Sequence, residues 1–166
     1  MRTSRVTAAL CVLATQSAAD IGVQFIEGAP KDRFVLSSTT CPTGPLRVTF
    51  DLRPSAGALI FDVTESGAGV EVFQPFELVA GEAQVAREPA VRDGDQVLSL
   101  ALTGLAPGSD VSFTIDLDDT VATRSITVAG SELVGAKVFL EAGSLRSEAT
   151  FNASANLAIP WTACTS

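Results

Sequence analysis

The chain has 166 residues, 46% of them hydrophobic and only 18% charged, a balance that excludes a disordered tail and suits one folded domain of ordinary size. Its net charge of −8 argues against nucleic acid and anionic membrane surfaces as partners. The absence of histidine removes the Ser-His-Asp and Cys-His catalytic sets and the commonest ligand of zinc, copper and non-haem iron.

Residues 1–19 have the layout of a removable signal peptide: basic Arg2 and Arg5, an apolar stretch from Val6 to Ala14, then small Ser17-Ala18-Ala19 where signal peptidase needs them. Cys11 follows Leu10, whereas a lipidated cysteine would follow a small residue. A single domain over 20–166 is expected to remain, with 9 basic residues against 19 acidic once Arg2 and Arg5 leave. After residue 20 turns and charges interrupt every apolar run, short of the roughly 20 residues a membrane helix needs. The expected location is secreted, periplasmic or cell-surface, without membrane insertion. The lysine-poor, acidic usage, with only Lys31 and Lys137, is compatible with a bacterial source.

Export makes the remaining cysteines, Cys41 and Cys164, an expected disulfide, because an even pair in an oxidising compartment without Cys-x-x-Cys spacing reads as a structural clamp. Closing a loop of roughly 120 residues stabilises by about 4 to 5 kcal/mol in the chain-entropy picture.

Short β-patterned runs then alternate with Gly, Pro, Asp and Ser turns, as in a sandwich or barrel. Val23 to Ile26 opens the series, Arg33 to Ser37 follows the Gly28-Ala29-Pro30 turn, and Leu46 to Leu52 places Leu46, Val48, Phe50 and Leu52 on one face. Ala58 to Val63 is the next strand. Val70 to Val79 contains Pro75, which implies an edge position or a bulge. Residues 80–95 read as a long polar connection ending in Asp93-Gly94-Asp95.

Gln96 to Thr103 and Asp110 to Leu117 alternate on either side of Leu105-Ala106-Pro107-Gly108, and this arrangement predicts that the two strands pair with each other. Arg124 to Val128, Ala136 to Glu141, Arg146 to Phe151 and Leu157 to Trp161 complete ten or eleven strands, with one helical turn at most, near Ser131 to Val134. The expected fold is all-β: an antiparallel β-sandwich of immunoglobulin-like, fibronectin-like or jelly-roll-like type.

Three runs share the form apolar-x-apolar-Asp-aliphatic, at Asp51, Asp62 and Asp116. Asp is disfavoured within strands, so the repetition points to strand-end turn chemistry or a shared ion. The period of two sets each Asp opposite its core residues, on a solvated face. The candidate metal ligands are Asp116, Asp118 and Asp119, in the run Asp116-Leu117-Asp118-Asp119, and the candidate ion is Ca²⁺, which takes six to eight oxygens and tolerates irregular loops. No catalytic residue is assigned. Neither lysine lies in a Ser-x-x-Lys context, and a carboxylate glycosidase would need aromatic sugar platforms beside its acids, whereas the chain has one Trp and no Tyr.

Phe25-Ile26-Glu27-Gly28-Ala29-Pro30-Lys31-Asp32-Arg33-Phe34, Val72-Phe73-Gln74-Pro75-Phe76-Glu77-Leu78 and Phe113 to Thr120 together resemble small exported proteins of marine bacteria labelled "aggregation factor core". The resemblance implies a secreted β-rich domain with an adhesive role, and calcium fits it because sponge aggregation, the source of the label, is calcium-dependent. No site residue is carried over from it. The sequence therefore ranks three functions. A non-catalytic binding or adhesion module for an extracellular protein or polysaccharide leads, followed by a structural subunit of an envelope or extracellular assembly using the Pro75 edge, and then by a carboxylate-based glycan hydrolase.

Overall fold

The computed structural model describes residues 19–39, 43–66, 69, 73–121 and 127–161; Cys41 and Cys164, the expected disulfide, lie outside them, as do residues 1–18. Twelve strands form among the described residues: β1 (Ala19–Ile26), β2 (Asp32–Ser38), β3 (Leu46–Asp51), β4 (Ile60–Phe61), β5 (Glu77–Ala80), β6 (Val85–Arg87), β7 (Val97–Leu102), β8 (Asp110–Ile115), β9 (Leu117–Asp118), β10 (Lys137–Ala142), β11 (Leu145–Thr150) and β12 (Asn156–Trp161). One five-stranded sheet runs β12-β1-β2-β8-β5 and a second β11-β10-β3-β7-β6, while β4 and β9 form a separate pair. The strand pairings are antiparallel throughout.

The alternating residues make the sandwich core. Leu46, Val48 and Phe50 of β3, Leu98, Leu100 and Leu102 of β7, and Val111, Phe113 and Ile115 of β8 are all buried. Phe34 and Phe113 sit opposite each other in β2 and β8, and Phe50 reaches them from the other sheet at centroid distances of 5.0 and 5.5 Å. Rings at such spacing add roughly 0.5 to 1.5 kcal/mol per pair beyond the area they bury.

Several expectations are corrected. The strands flanking Leu105-Ala106-Pro107-Gly108 do not pair: β7 belongs to one sheet and β8 to the other, and the turn crosses between them with Pro107 bridged to Ser38. Buried Leu105 anchors that crossing, donating its N–H to Thr43 Oγ1 at 2.9 Å. Alternation identifies a strand but is blind to which neighbour it pairs with. The run at Ala58 to Val63 narrows to Ile60–Phe61, because Ala58 has φ 45° and the Ser55 hydroxyl accepts the N–H of Leu59 at 2.8 Å; both are turn features. The run at Val70 to Val79 narrows to Glu77–Ala80, with 70–72 outside the described residues.

The connection at 80–95 holds a 3₁₀ turn, Glu82–Gln84, and β6, whereas residues 130–135 form hydrogen-bonded turns and no helix. Of Arg124 to Val128, residues 124–126 lie outside the described set and Thr127 and Val128 are not strand. Pro75 does precede an edge strand, since β5 ends its sheet and its register shifts between Leu78 and Ala80.

Candidate cation site

The three matching Asp positions end in two different environments. Asp51 is turn chemistry: its carboxylate accepts from Arg53 Nε at 2.8 Å and Nη2 at 2.7 Å, and these hydrogen bonds hold it below the usual carboxylate range. Asp62 and Asp116 instead face a buried acidic cluster at the β4-β9 pair, where the expectation of a solvated face fails. Exposure is 0% at Asp62, 1% at Asp32, 5% at Asp116, 4% at Asp118 and 3% at Asp119.

Backbone contacts assemble this cluster from segments distant in sequence. Phe61 pairs with Leu117, and Ile60 with Asp118. Beyond that pair, Asp62 N–H donates to the Asp116 carbonyl at 3.1 Å and Asp116 N–H to the Gln74 carbonyl at 3.1 Å, while Gln74 N–H donates to the Asp62 carbonyl at 3.3 Å. The turn at 92–95 is clipped on through Phe61 N–H to the Asp95 carbonyl at 2.8 Å and Gly94 N–H to the Phe61 carbonyl at 2.9 Å. Asp93 Oδ1 accepts the N–H of Val63 at 3.0 Å, which fixes its carboxylate beside Asp62. From the first sheet comes Asp32, across from Ile115 in the β2-β8 register, with Oδ1 accepting Gly28 N–H at 3.1 Å.

The electrostatics are those of like charges out of water. Burial pushes Asp116 up to about 8, and the charges of Asp118, Asp32 and Asp62 add to it. Burial pushes Asp62 up to about 7, with the Asp93 and Asp118 carboxylates in hydrogen-bonding reach pushing the same way. Asp32 also rises to about 7 through burial, against the Gly28 hydrogen bond and with the charge of Glu27. When ionised, neither Asp62 oxygen has a hydrogen-bond donor to accept from, and the groups it reaches, Asp93 and Asp118, are carboxylates that repel its charge. A buried acceptor left this way costs about 1 to 3 kcal/mol, and more when charged.

A glycine closes over the pair. A Cβ at Gly69 would fall 2.2 Å from Asp62 Cγ and 2.4 Å from Asp118 Oδ2, so only a residue without a side chain lets the backbone lie there.

Of the sequence candidates, Asp116 and Asp118 enter one field of charge with Asp62 and Asp32. Asp119 is buried but is not among the principal charges acting on these groups. Among the described residues no three Asp, Glu, His or Cys side chains stand already gathered as a metal-holding group. Sequence reasoning missed Asp32, Asp93 and Gly69 as participants. The repeated Asp pattern did signal Asp62, and Asp93-Gly94-Asp95 was visible only as a turn. The donor set is oxygen alone, which suits a hard divalent cation and not a soft one. Compared with known proteins, the chain matches no family model and no curated sequence.

Proposed function

We propose that this chain is an exported, non-catalytic binding module of the adhesive type, whose folded state or recognition surface depends on calcium. The observation that carries the reading is the orphaned, fully buried carboxylate of Asp62 among further aspartates at the β4-β9 pair. A domain that keeps so costly a group gains most from it when a cation arrives, because the charges that repel each other in the free protein become ligands. Support also comes from the signal-like residues 1–19, the absence of histidine and the resemblance to aggregation factor core proteins. No helix among the described residues is long and apolar enough to cross a membrane.

For the scaffold we propose a sandwich topology of immunoglobulin-like, fibronectin-like or jelly-roll-like type, since each sheet sets a late strand beside an early one, β12 by β1 and β10 by β3. A Cys41–Cys164 disulfide fits the strand ends. Ser38 of β2 and Trp161 of β12 face Ile21 and Ala19 of β1, so β2 and β12 leave the sheet at the same end with one strand between them.

The structural-subunit reading is weaker on a specific point. Among the described residues the edges of both five-stranded sheets are blunted against strand addition: β5 and β6 carry register shifts, β12 contains Pro160 and β11 carries Arg146 and Glu148. The test is binding of purified residues 20–166 to cells and to immobilised polysaccharide, with calcium and with EDTA. Calcium-dependent retention is expected. Retention on neither surface under either condition would remove the adhesive reading.

A further inference from the structure

The cluster geometry allows the ion to be placed more closely, and the placement rests on the calcium reading above. We propose that a calcium ion is held between Asp62, Asp118 and Asp93 under the backbone at Gly69, with Asp62 as the central ligand. Asp62 is the one member of the cluster that is fully buried with both oxygens unpartnered, and it reaches Asp93 and Asp118. The three carboxylates come from three segments: the exit of β4, the turn at 92–95, and β9.

Three carboxylates present more negative charge than a divalent ion carries, so an ion between them replaces mutual repulsion with attraction. Calcium fits better than magnesium because the ligands leave irregular backbone, and calcium accepts uneven oxygen shells whereas magnesium demands a near-ideal octahedron. Gly69 contributes close approach: without a side chain its backbone can lie against the Asp62 and Asp118 carboxylates, where any Cβ would overlap them. The ion would draw the carboxylates inward from their present pairwise approach. It would thereby tie the loop after β4 to the 92–95 turn and to β9.

The experiment uses residues 20–166, calcium chloride as the only added ligand, and two readouts: calorimetric titration and thermal melting. At free calcium about a hundredfold above the dissociation constant, the midpoint should rise by roughly 5 to 10 °C. Asp62→Asn keeps the shape and removes the charge. It should melt higher than wild type in EDTA, because the buried charge is gone, yet lose calcium affinity by about tenfold or more. Gly69→Ala should also lose affinity, while Glu148→Gln, exposed on β11, should titrate as wild type. A wild-type midpoint unmoved by calcium, or Asp62→Asn titrating as wild type, would overturn the site. A calcium response abolished by Asp62→Asn in a protein that binds no cell or polysaccharide would sustain the site while the adhesive reading falls.

Discussion

Asp62 and Asp116 are joined through their backbones, the N–H of the first donating to the carbonyl of the second at 3.1 Å, while burial raises the carboxyls of both. The hydrogen bond that holds the two segments together thus also holds two like-charged side chains in the same region, so the segment geometry and the charge are opposed wherever both are ionised.

The first prediction is a pH dependence set by that opposition. Asp32 and Asp62 rise to about 7 and Asp116 to about 8 from a model-compound value of 3.8, so the folded chain keeps these protons where the unfolded chain has lost them. Their contribution is fully present below the unfolded value and is lost as pH rises through 7 to 8. Asp51, held low by Arg53, works in the opposite sense, but its loss falls below pH 4. With no histidine in the chain, no imidazole titration overlaps the window. Melting in EDTA should show the midpoint falling by about 5 °C or more from pH 5 to pH 8, and saturating calcium should flatten the slope. A midpoint that rises over the same range in EDTA would contradict it.

Phe34 is the second point of leverage. Its ring contacts Phe25, Phe50, Phe113 and Phe151 at centroid distances between 5.0 and 6.3 Å, joining β1, β2 and β8 to β3 across the sandwich. Phe34→Ala should cost about 3 to 5 kcal/mol in urea unfolding, against less than about 1 kcal/mol for Phe139→Leu at the half-buried face of β10. Equal losses at the two positions would mean that the inter-sheet cluster is not where stability is concentrated.

The third concerns Gly135, which has φ 94° and a would-be Cβ only 2.4 Å from the Pro54 carbonyl. Both the backbone conformation and the close approach exclude a side chain, so Gly135→Ala should destabilise by about 2 kcal/mol or more. Gly44, with open space around it, is the matched control, and Gly44→Ala should be within about 1 kcal/mol of wild type.

A fourth addresses the cysteines. If export oxidises Cys41 and Cys164, a thiol assay on the unreduced, denatured protein without residues 1–19 should find none, and Cys164→Ser should lower stability by about 4 kcal/mol. Two titratable thiols in protein recovered from an oxidising compartment would exclude the clamp.

Local chemistry accounts for the part of the structure that was legible beforehand. Leu46, Val48 and Phe50, or Val111, Phe113 and Ile115, name their buried face by alternation alone, since successive strand side chains point to opposite sides. Gly28 also announces its turn, because a Cβ there would strike the Lys31 carbonyl at 2.1 Å. Pro75 marks the approach to an edge for an equally local reason: it has no N–H to give a ladder.

Tertiary structure alone decided the rest. Whether β7 pairs with β8 depends on which sheet each joins, and the 104–109 turn sends them to different ones. Whether an Asp opposite the core meets water depends on what covers that side. At Asp51 it is Arg53, two residues on in the chain; at Asp62 it is the 92–95 turn, β9 and the backbone of Gly69. Periodicity assigns a side chain to a face of its strand, while burial and charge are set by segments far away in sequence. For that reason Asp51, Asp62 and Asp116 look alike as sequence and separate into a carboxylate paired with Arg53 and an acidic cluster without a cationic partner once the chain is folded.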